Sequence, residues 1–278
     1  KITSFESGKR LRALLEVLED PDLADRWRKL PPRQATMDEL LLVHTREHIS
    51  RTVGTLGPVT QPEREAVVET VKVQDTALFA VGGVLELLDA IMGARADRGF
   101  ALVRPPGHHA EPDQAMGFCY FNNAAIGARH LQRAHGLERI LLLDIDAHHG
   151  NGTQSAFWDD PGVLYVSIHR DGAYPYTGAA EEVGGGAGRG YTVNIPIDRR
   201  VGDRQYARLL AGVLLPIARQ YRPQILLVSC GFDLHHQDPL GQLSLTAEGY
   251  GLITDLVVRC AQEVCGGKLA LVLEGGYS

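Results

Sequence analysis

Three pairs of adjacent histidines, His108–His109, His148–His149 and His235–His236, account for six of the eleven histidines in the chain. The second pair closes the segment Asp144-Ile145-Asp146-Ala147-His148. On an extended strand end side chains alternate, so Asp144, Asp146 and His148 share one side while Ile145 and Ala147 face away. Two carboxylates and an imidazole crowded behind an apolar run need a cation or other partners, because isolated buried charge is costly. With Asp233 from another strand end, Asp146 and His148 are candidates for a His/Asp/Asp metal site. Three protein ligands and an open position describe a catalytic zinc site, whereas structural zinc is closed by four. The plainer alternative, that Asp146 and Asp233 merely cap helices, leaves the neighbouring histidines unexplained.

Pro105-Pro106-Gly107 forms a stiff turn that sets His108 and His109 side by side. Hydrolysis by a metal-activated water needs a base and then an acid, and histidine serves both roles near neutrality. Two loop histidines are more often solvated, so their place in a shared crevice is what makes them candidates. Tyr277 follows Glu274-Gly275-Gly276, whose glycines let the backbone turn sharply and approach a ligand. A phenol there can donate a hydrogen bond to a developing oxyanion; the alternative is a tyrosine packed by its ring.

The elements that must position these groups are legible as alternating apolar runs and helical patterns. Leu11, Leu14, Leu15 and Leu18 mark an amphipathic helix that stops before Pro21, and a long apolar-periodic stretch spans Pro62 to Met92, with a bend at Gly82–Gly83. Strands are expected at 100–103, 140–143, 163–168, 191–195, 225–230 and 269–273, all apolar on both faces as buried parallel strands are. Helices near 121–135, 203–221 and 246–264 supply crossovers. The expected fold is α/β: a single open, mainly parallel sheet flanked by helices, with residues 1–278 forming one catalytic domain. Four runs end in polar clusters (RPPGHH, DIDAHHGNG, GFDLHH and EGGYS), and ligands of open α/β sheets bind outside the carboxyl ends of strands. Four such ends converge on one crevice. The glycine-rich segment 184–190 lacks the spacing of a dinucleotide loop and reads as a flexible loop.

Composition narrows the function. The 278 residues are 44% hydrophobic, enough for a sizeable core, and the net charge of −6 argues against direct nucleic-acid binding. Cys119, Cys230, Cys260 and Cys265 form no Cys-x-x-Cys pair and no disulfide framework, which points to a reducing, cytoplasmic setting. No apolar run approaches the ~18 residues of a membrane span, and no signal-peptide core is present. Oligomeric state leaves no mark in the sequence.

RPPGHHA, GFCYFNN, DIDAHHGNGTQ, GFDLHHQDPLG and LEGGYS, in this order, resemble the zinc-dependent histone deacetylase superfamily, which includes acetylpolyamine amidohydrolases and acetoin-utilisation proteins. The resemblance runs from about Val43 to the end, and the HHGNG and EGGY wording is most similar to the class II-like branch. It implies the arginase-like α/β fold and hydrolysis of an N-acetylated amine to acetate and free amine. By the same resemblance Asp146, His148 and Asp233 are the zinc ligands, His109 the principal base and acid, His108 its electrostatic neighbour, and Tyr277 the group that polarises the carbonyl. Asp144 matches the partner of His108 and Asn151 the partner of His109. A potassium site is implied at Asp144, at the carbonyls of Asp146, His148 and Ile168, and at Ser167; a peripheral one at Phe157, Asp160, Val163 and Tyr191, where Asp160 replaces a hydroxyl residue of some relatives.

Gly117, Phe118 and Tyr174 are expected to line the acyl-lysine tunnel, with Gly276 against the substrate and Leu240 at the rim. Polyamine-preferring relatives carry glutamate at the position of Leu240, where its charge attracts a distant ammonium. Leucine therefore favours acetyl-lysine over acetylpolyamine or another small acetylamine. His235 and His236 are read as one support for the Asp233 loop and one surface residue. Two rivals remain at this level. A two-manganese ureohydrolase would need a further aspartate after the Asp-Ala-His unit, where His149 stands. An inactive fragment or acetyl-ligand binding module is the other, since relatives usually have a further strand before and helices after the matched motifs, so truncation at both ends is expected.

Overall fold

The computed structural model describes residues 5–53 and 64–278. In chain order its helices and strands are α1 (Lys9–Leu18), α2 (Met37–Leu40), α3 (Arg46–Thr52), α4 (Arg64–Met92), β1 (Arg98–Ala101), α5 (Asn123–His135), β2 (Ile140–Asp144), α6 (Asn151–Phe157), β3 (Val163–Arg170), β4 (Thr192–Ile197), α7 (Asp203–Tyr221), β5 (Ile225–Cys230), α8 (Ala247–Cys265) and β6 (Leu269–Leu273). The six strands form one sheet in the order β1-β6-β5-β2-β3-β4. Every pairing is parallel, as the doubly apolar runs imply.

Alternation along each strand builds two cores at once. Leu141, Leu143, Leu164, Val166, Leu226 and Val228 face α7 and α8, where they meet Tyr206, Leu210, Leu214, Ile253 and Val257. Their neighbours Ile140, Leu142, Val163, Tyr165, Ile225 and Leu227 face the other way, onto Val84, Leu88 and Ile91 of α4 and Ala124, Ala128 and Leu131 of α5. The local signals agree with this plan. Asn122 caps α5 by accepting from the Ala125 amide at 2.9 Å, and Gly136 ends the same helix in the left-handed conformation.

Three expectations need correction. Gly82–Gly83 do not interrupt α4, which is continuous through them, and Gly82 serves a contact: a side chain there would strike the Arg33 carbonyl. Pro62, expected to open this helix, lies outside the described residues. The first strand is Arg98–Ala101 rather than 100–103, since its pairing with β6 ends at Ala101 opposite Val272. The glycine-rich segment is tied into the fold, with a single 3₁₀ turn at Gly186–Gly188 and the Gly185 amide bonded to the Trp158 carbonyl at 2.8 Å. Among the described residues, no helix is long and apolar enough to cross a membrane.

Leu142 is fully buried on the central strand β2. Leu142→Ala is expected to cost about 2–5 kcal/mol through lost burial and the cavity left behind, read from the midpoint of denaturant unfolding.

Candidate functional site

All strands being parallel, their carboxyl ends share one edge of the sheet. The chain runs outward from β2 through β3 to β4, then returns to place β5 on the other side of β2. The edge between β2 and β5 is therefore a topological switch point, where loops leave in opposite directions and open a crevice. Asp146 and His148 follow β2, and Asp233 follows β5. The polar ends of β1 and β6 reach the same place: Glu274 after β6 accepts hydrogen bonds from the Gly107 amide at 2.6 Å and the His108 amide at 3.1 Å. The four clusters do converge.

One donor atom each of Asp146, His148 and Asp233 lies within 4.8 Å of the others. His148 Nδ1 is 3.0 Å from Asp146 Oδ1 and 3.0 Å from Asp233 Oδ2. The remaining carboxylate valences are filled by backbone, with Gly275 N–H donating to Asp146 Oδ2 at 2.8 Å and Ala147 N–H to Asp233 Oδ1 at 2.9 Å. Neither aspartate caps a helix, since Gly150 precedes α6 and Thr246 precedes α8. Both aspartates are buried, so their charges meet across a low-dielectric space. Burial and the neighbouring Asp146 push Asp233 up to about 7. Burial opposes a charge on His148, yet the two carboxylates push it up to about 10. The pocket thus attracts positive charge, and its imidazole and carboxylate donors suit zinc.

The histidine pair is buried beside this centre, ring centroids 4.0 Å apart. His108 Nδ1 lies 3.1 Å from Asp144 Oδ2, an oxygen that also accepts from the Tyr165 hydroxyl at 3.1 Å. Burial works against its charge, but Asp146 and Asp144 push His108 up to about 10. His109 behaves oppositely: burial and the charge on His108 hold it well below its ordinary value. Its Nδ1 is 2.8 Å from Asn151 Oδ1. Asn151 Nδ2 donates to Glu111 at 2.7 Å, which fixes the amide so that its oxygen faces the ring. His109 Nδ1 is then the protonated nitrogen, and Nε2 is left as an acceptor.

Substrate-channel candidates touch the same groups. Met116 and Cys119 pair across a two-residue hairpin whose central residues, Gly117 and Phe118, have φ of +56° and +66°. A primed turn of this kind suits glycine, and Phe118 is a bulky residue forced into it. The turn presents the Phe118 ring to Tyr277, with centroids 5.7 Å apart. A side chain at Gly117 would strike the His109 ring. Tyr174 sits edge-on to His109 at 5.1 Å. Burial, then Asp146 and Asp233, push the Tyr277 phenol well above its ordinary value, keeping it protonated. Asp238 ties this loop together, accepting from the amides of Leu240, Gly241 and Tyr277.

Other residues find different places. His149 is held by Thr177 at 2.8 Å and Gln154 at 3.0 Å, and burial beside His169 lowers it to about 3. His235 is half-buried and accepts from the Gln237 amide, while His236 is exposed and bonds Leu245. Ser167 lies in register with Asp144, its hydroxyl 2.8 Å from His169 Nδ1. The Asp160 carboxylate is met by Arg129 and Gln132; the carbonyl of Phe157 accepts from Asp160, that of Asp160 from Val163, and that of Tyr191 from Tyr165. An apolar groove of about 930 Å³, lined by Leu11, Trp27, Phe79 and Val103 among others, contains none of the candidate ligands.

Arg10 was not anticipated. Its guanidinium donates to the Gly276 carbonyl at 2.5 Å and to the Glu274 carbonyl, and lies 4.8 Å from the Tyr277 ring centroid. Glu6 bridges Arg10 to Arg104, at the base of the His108–His109 turn. The leucine stripe of α1 betrays nothing of this, because the partners lie 266 and 264 residues away. Glu274 was read only as part of a turn; its carboxylate in fact braces that turn, and burial pushes it up to about 7.

Comparison with known proteins agrees with this geometry. Residues 4–278 match the histone deacetylase domain. Histone deacetylase 14, chloroplastic, of Arabidopsis thaliana is 45% identical over 73% of this chain and 49% of its own length. A probable deacetylase of Archaeoglobus fulgidus is 39% identical over 99% of this chain and 77% of its own. The crystal structure of the HDA15 HD domain superposes with a TM-score of 0.88 at 39% identity, covering 98% of this chain and 77% of that one. The chain belongs to the histone deacetylase domain family. It spans about half the length of the Arabidopsis relative.

A Cβ added at Gly275 would lie 2.5 Å from Asp233 Oδ2 and 2.6 Å from Asp146 Oδ2, whereas one at exposed Gly212 in α7 would meet nothing within 4 Å. Gly275→Ala is expected to destabilise by about 1–3 kcal/mol through overpacking, and Gly212→Ala to stabilise by about 0.5–1 kcal/mol. Parallel denaturant titrations of the two variants check this.

Proposed function

We propose that this chain is a zinc-dependent deacetylase that hydrolyses an N-acetylated amine, acetyl-lysine before acetylpolyamine, to acetate and the free amine. The observation that carries this reading is the juxtaposition of a buried Asp146–His148–Asp233 cluster with two adjacent histidines, one against the Asp144 carboxylate and the other against the Asn151 amide oxygen. Asp146, His148 and Asp233 would hold the zinc. When bound, zinc supplies a Lewis acid for the carbonyl and lowers the pKa of water.

The chain's own residues supply the rest. His109, neutral and with Nε2 free, accepts a proton from the attacking water and returns it to the departing nitrogen. His108, charged beside Asp144, keeps His109 from holding a proton too tightly. Tyr277, protonated throughout the neutral range, donates to the oxyanion. Phe118 and Tyr174 flank the acyl chain, and Gly276 lies at its inner end. Leu240 offers no charge to a distal ammonium, which supports a lysine-type substrate. Potassium is proposed at the Asp144 carboxylate, the carbonyls of Asp146, His148 and Ile168, and the Ser167 hydroxyl. The peripheral set Phe157, Asp160, Val163 and Tyr191 would bind it more weakly, because Arg129 already meets the Asp160 charge. A binuclear ureohydrolase is not supported, since His149 is engaged by Thr177 and Gln154 where another carboxylate would be needed.

A panel of acetyl-lysine peptides and acetylpolyamines, assayed with and without zinc, tests the proposal. Acetyl-lysine should turn over faster, activity should vanish on chelation and return with zinc, and His109→Ala should lower kcat about 10²–10⁴-fold. Full activity in the chelated protein or in His109→Ala would overturn it.

The electrostatics of the pair yield a second expectation. A carboxylate at residue 151 favours the imidazolium form of His109, so Asn151→Asp raises the His109 pKa. The base form is then lost at higher pH, and the acidic limb of the kcat/KM profile should move up by about 1–2 units. An unmoved limb would show that His109 is not the group titrating.

A further inference from the structure

Away from this centre, a second trio of metal-ligating side chains meets where two helices end. Asp89 lies in the last turn of α4, and His130 and His135 lie near and at the end of α5. His130 Nε2 is 2.7 Å and His135 Nε2 2.8 Å from the same atom, Asp89 Oδ1. The two rings stand nearly perpendicular, 5.5 Å between centroids. One donor from each residue lies within 4.8 Å of the others. Their side chains are 33%, 13% and 25% exposed, so solvent reaches the trio.

Helix-end chemistry accounts for one imidazole here but not for two: His135, with Arg133, stands in the last turn of α5, where the helix dipole favours a cation. A carboxylate in the last turn of a helix faces the negative end of the helix dipole, and α4 has no basic residue in that turn to offset it. The carboxyl end of α5 arrives at the same spot and adds to the negative potential. One imidazole would suffice for an ion pair; here two aim at a single oxygen. The convergence matches that at Asp146 and Asp233, where one imidazole nitrogen sits 3.0 Å from two carboxylate oxygens. Burial raises the Asp89 carboxyl, but the two imidazoles outweigh it and hold it below its ordinary value.

We propose that Asp89, His130 and His135 form a second divalent transition-metal site, of two imidazoles and one carboxylate with its remaining coordination open to water. Such donors suit Zn²⁺, Co²⁺, Ni²⁺ or Cu²⁺. Zinc bonds of about 2.0–2.2 Å in tetrahedral geometry put ligand atoms about 3.3 Å apart. The rings therefore need to withdraw only about half an ångström, within reach of partly exposed side chains. In such a site each ring presents its Nε2 lone pair to the ion and carries its N–H on Nδ1. The ion would tie α4 to α5. That helix begins at Asn122 and Asn123, and Asn123 Nδ2 donates to the Pro105 carbonyl at 3.1 Å, bracing the turn before His108. His130 and His135 sit about 10–18 Å along α5 from this brace.

Tag-free protein, dialysed against buffered Zn²⁺ and then against metal-free buffer, is assayed for bound zinc by atomic emission, alongside His130→Gln/His135→Gln and Asp89→Asn. Wild type should hold one more equivalent than either variant, and Zn²⁺ should raise its Tm further, while the variants keep deacetylase activity. Equal zinc content in wild type and Asp89→Asn would overturn the proposal, and Asp89→Asn serves if the double variant does not fold. Because the readout is a difference between proteins, loss of zinc at Asp146, His148 and Asp233 would lower every count equally and leave the second site testable.

Discussion

The centre of this protein is organised by a repulsion. Parallel pairing of β2 and β5 brings Asp146 and Asp233 to the same end of the sheet, where both are buried. Two carboxylates in such a space cannot remain charged without compensation. His148 lies between them, amides from residues 147 and 275 are turned toward them, and the glycines at 231 and 275 are small enough to leave those oxygens in place. A dication at this spot turns a cost into a binding energy.

The next layer out uses the same principle to make two chemically identical side chains differ. His108 and His109 are adjacent in sequence and equally buried. Asp144 faces one and an oriented amide faces the other. Asp144 and Asp146 push the first ring toward its charged form, and burial together with that charge pushes the second away from it. Glu274 holds the turn that carries both by accepting from the backbone amides of Gly107 and His108, joining β6 to the loop after β1. The partners of the pair stand at the end of β2, at the start of α6 and just after β6.

Much of this was legible in the sequence because it is local. Strand runs, helix stripes and polar strand ends are short-range patterns, and the identities of Asp146, His148 and Asp233 follow from what buried charge demands. The residues that escaped are those whose meaning is non-local. Arg10 reads as an ordinary charge on an amphipathic helix until its partners at Glu274 and Gly276 are brought beside it. Phe118 reads as a tunnel ring, but nothing in Met-Gly-Phe-Cys announces a primed turn without its usual Asn-Gly signal. Gly82 looked like a hinge because a glycine pair is ambiguous; only the approach of Arg33 shows that it is a contact.

The order of strands has a consequence in time. β2, β3 and β4 are consecutive neighbours and can pair as they leave the ribosome, but β5 must insert on the far side of β2, and β6 follows it. Among the described strands β1 pairs only with β6, so it waits through most of synthesis for its partner, and closing so long a loop is slow. The bond from Arg10 to the Glu274–Gly276 turn closes later still. A nascent chain therefore carries β1 without its partner until β6 is made. The Asp146 carboxylate gains the Gly275 amide only in that late step, so the centre is braced last although its aspartates are made early.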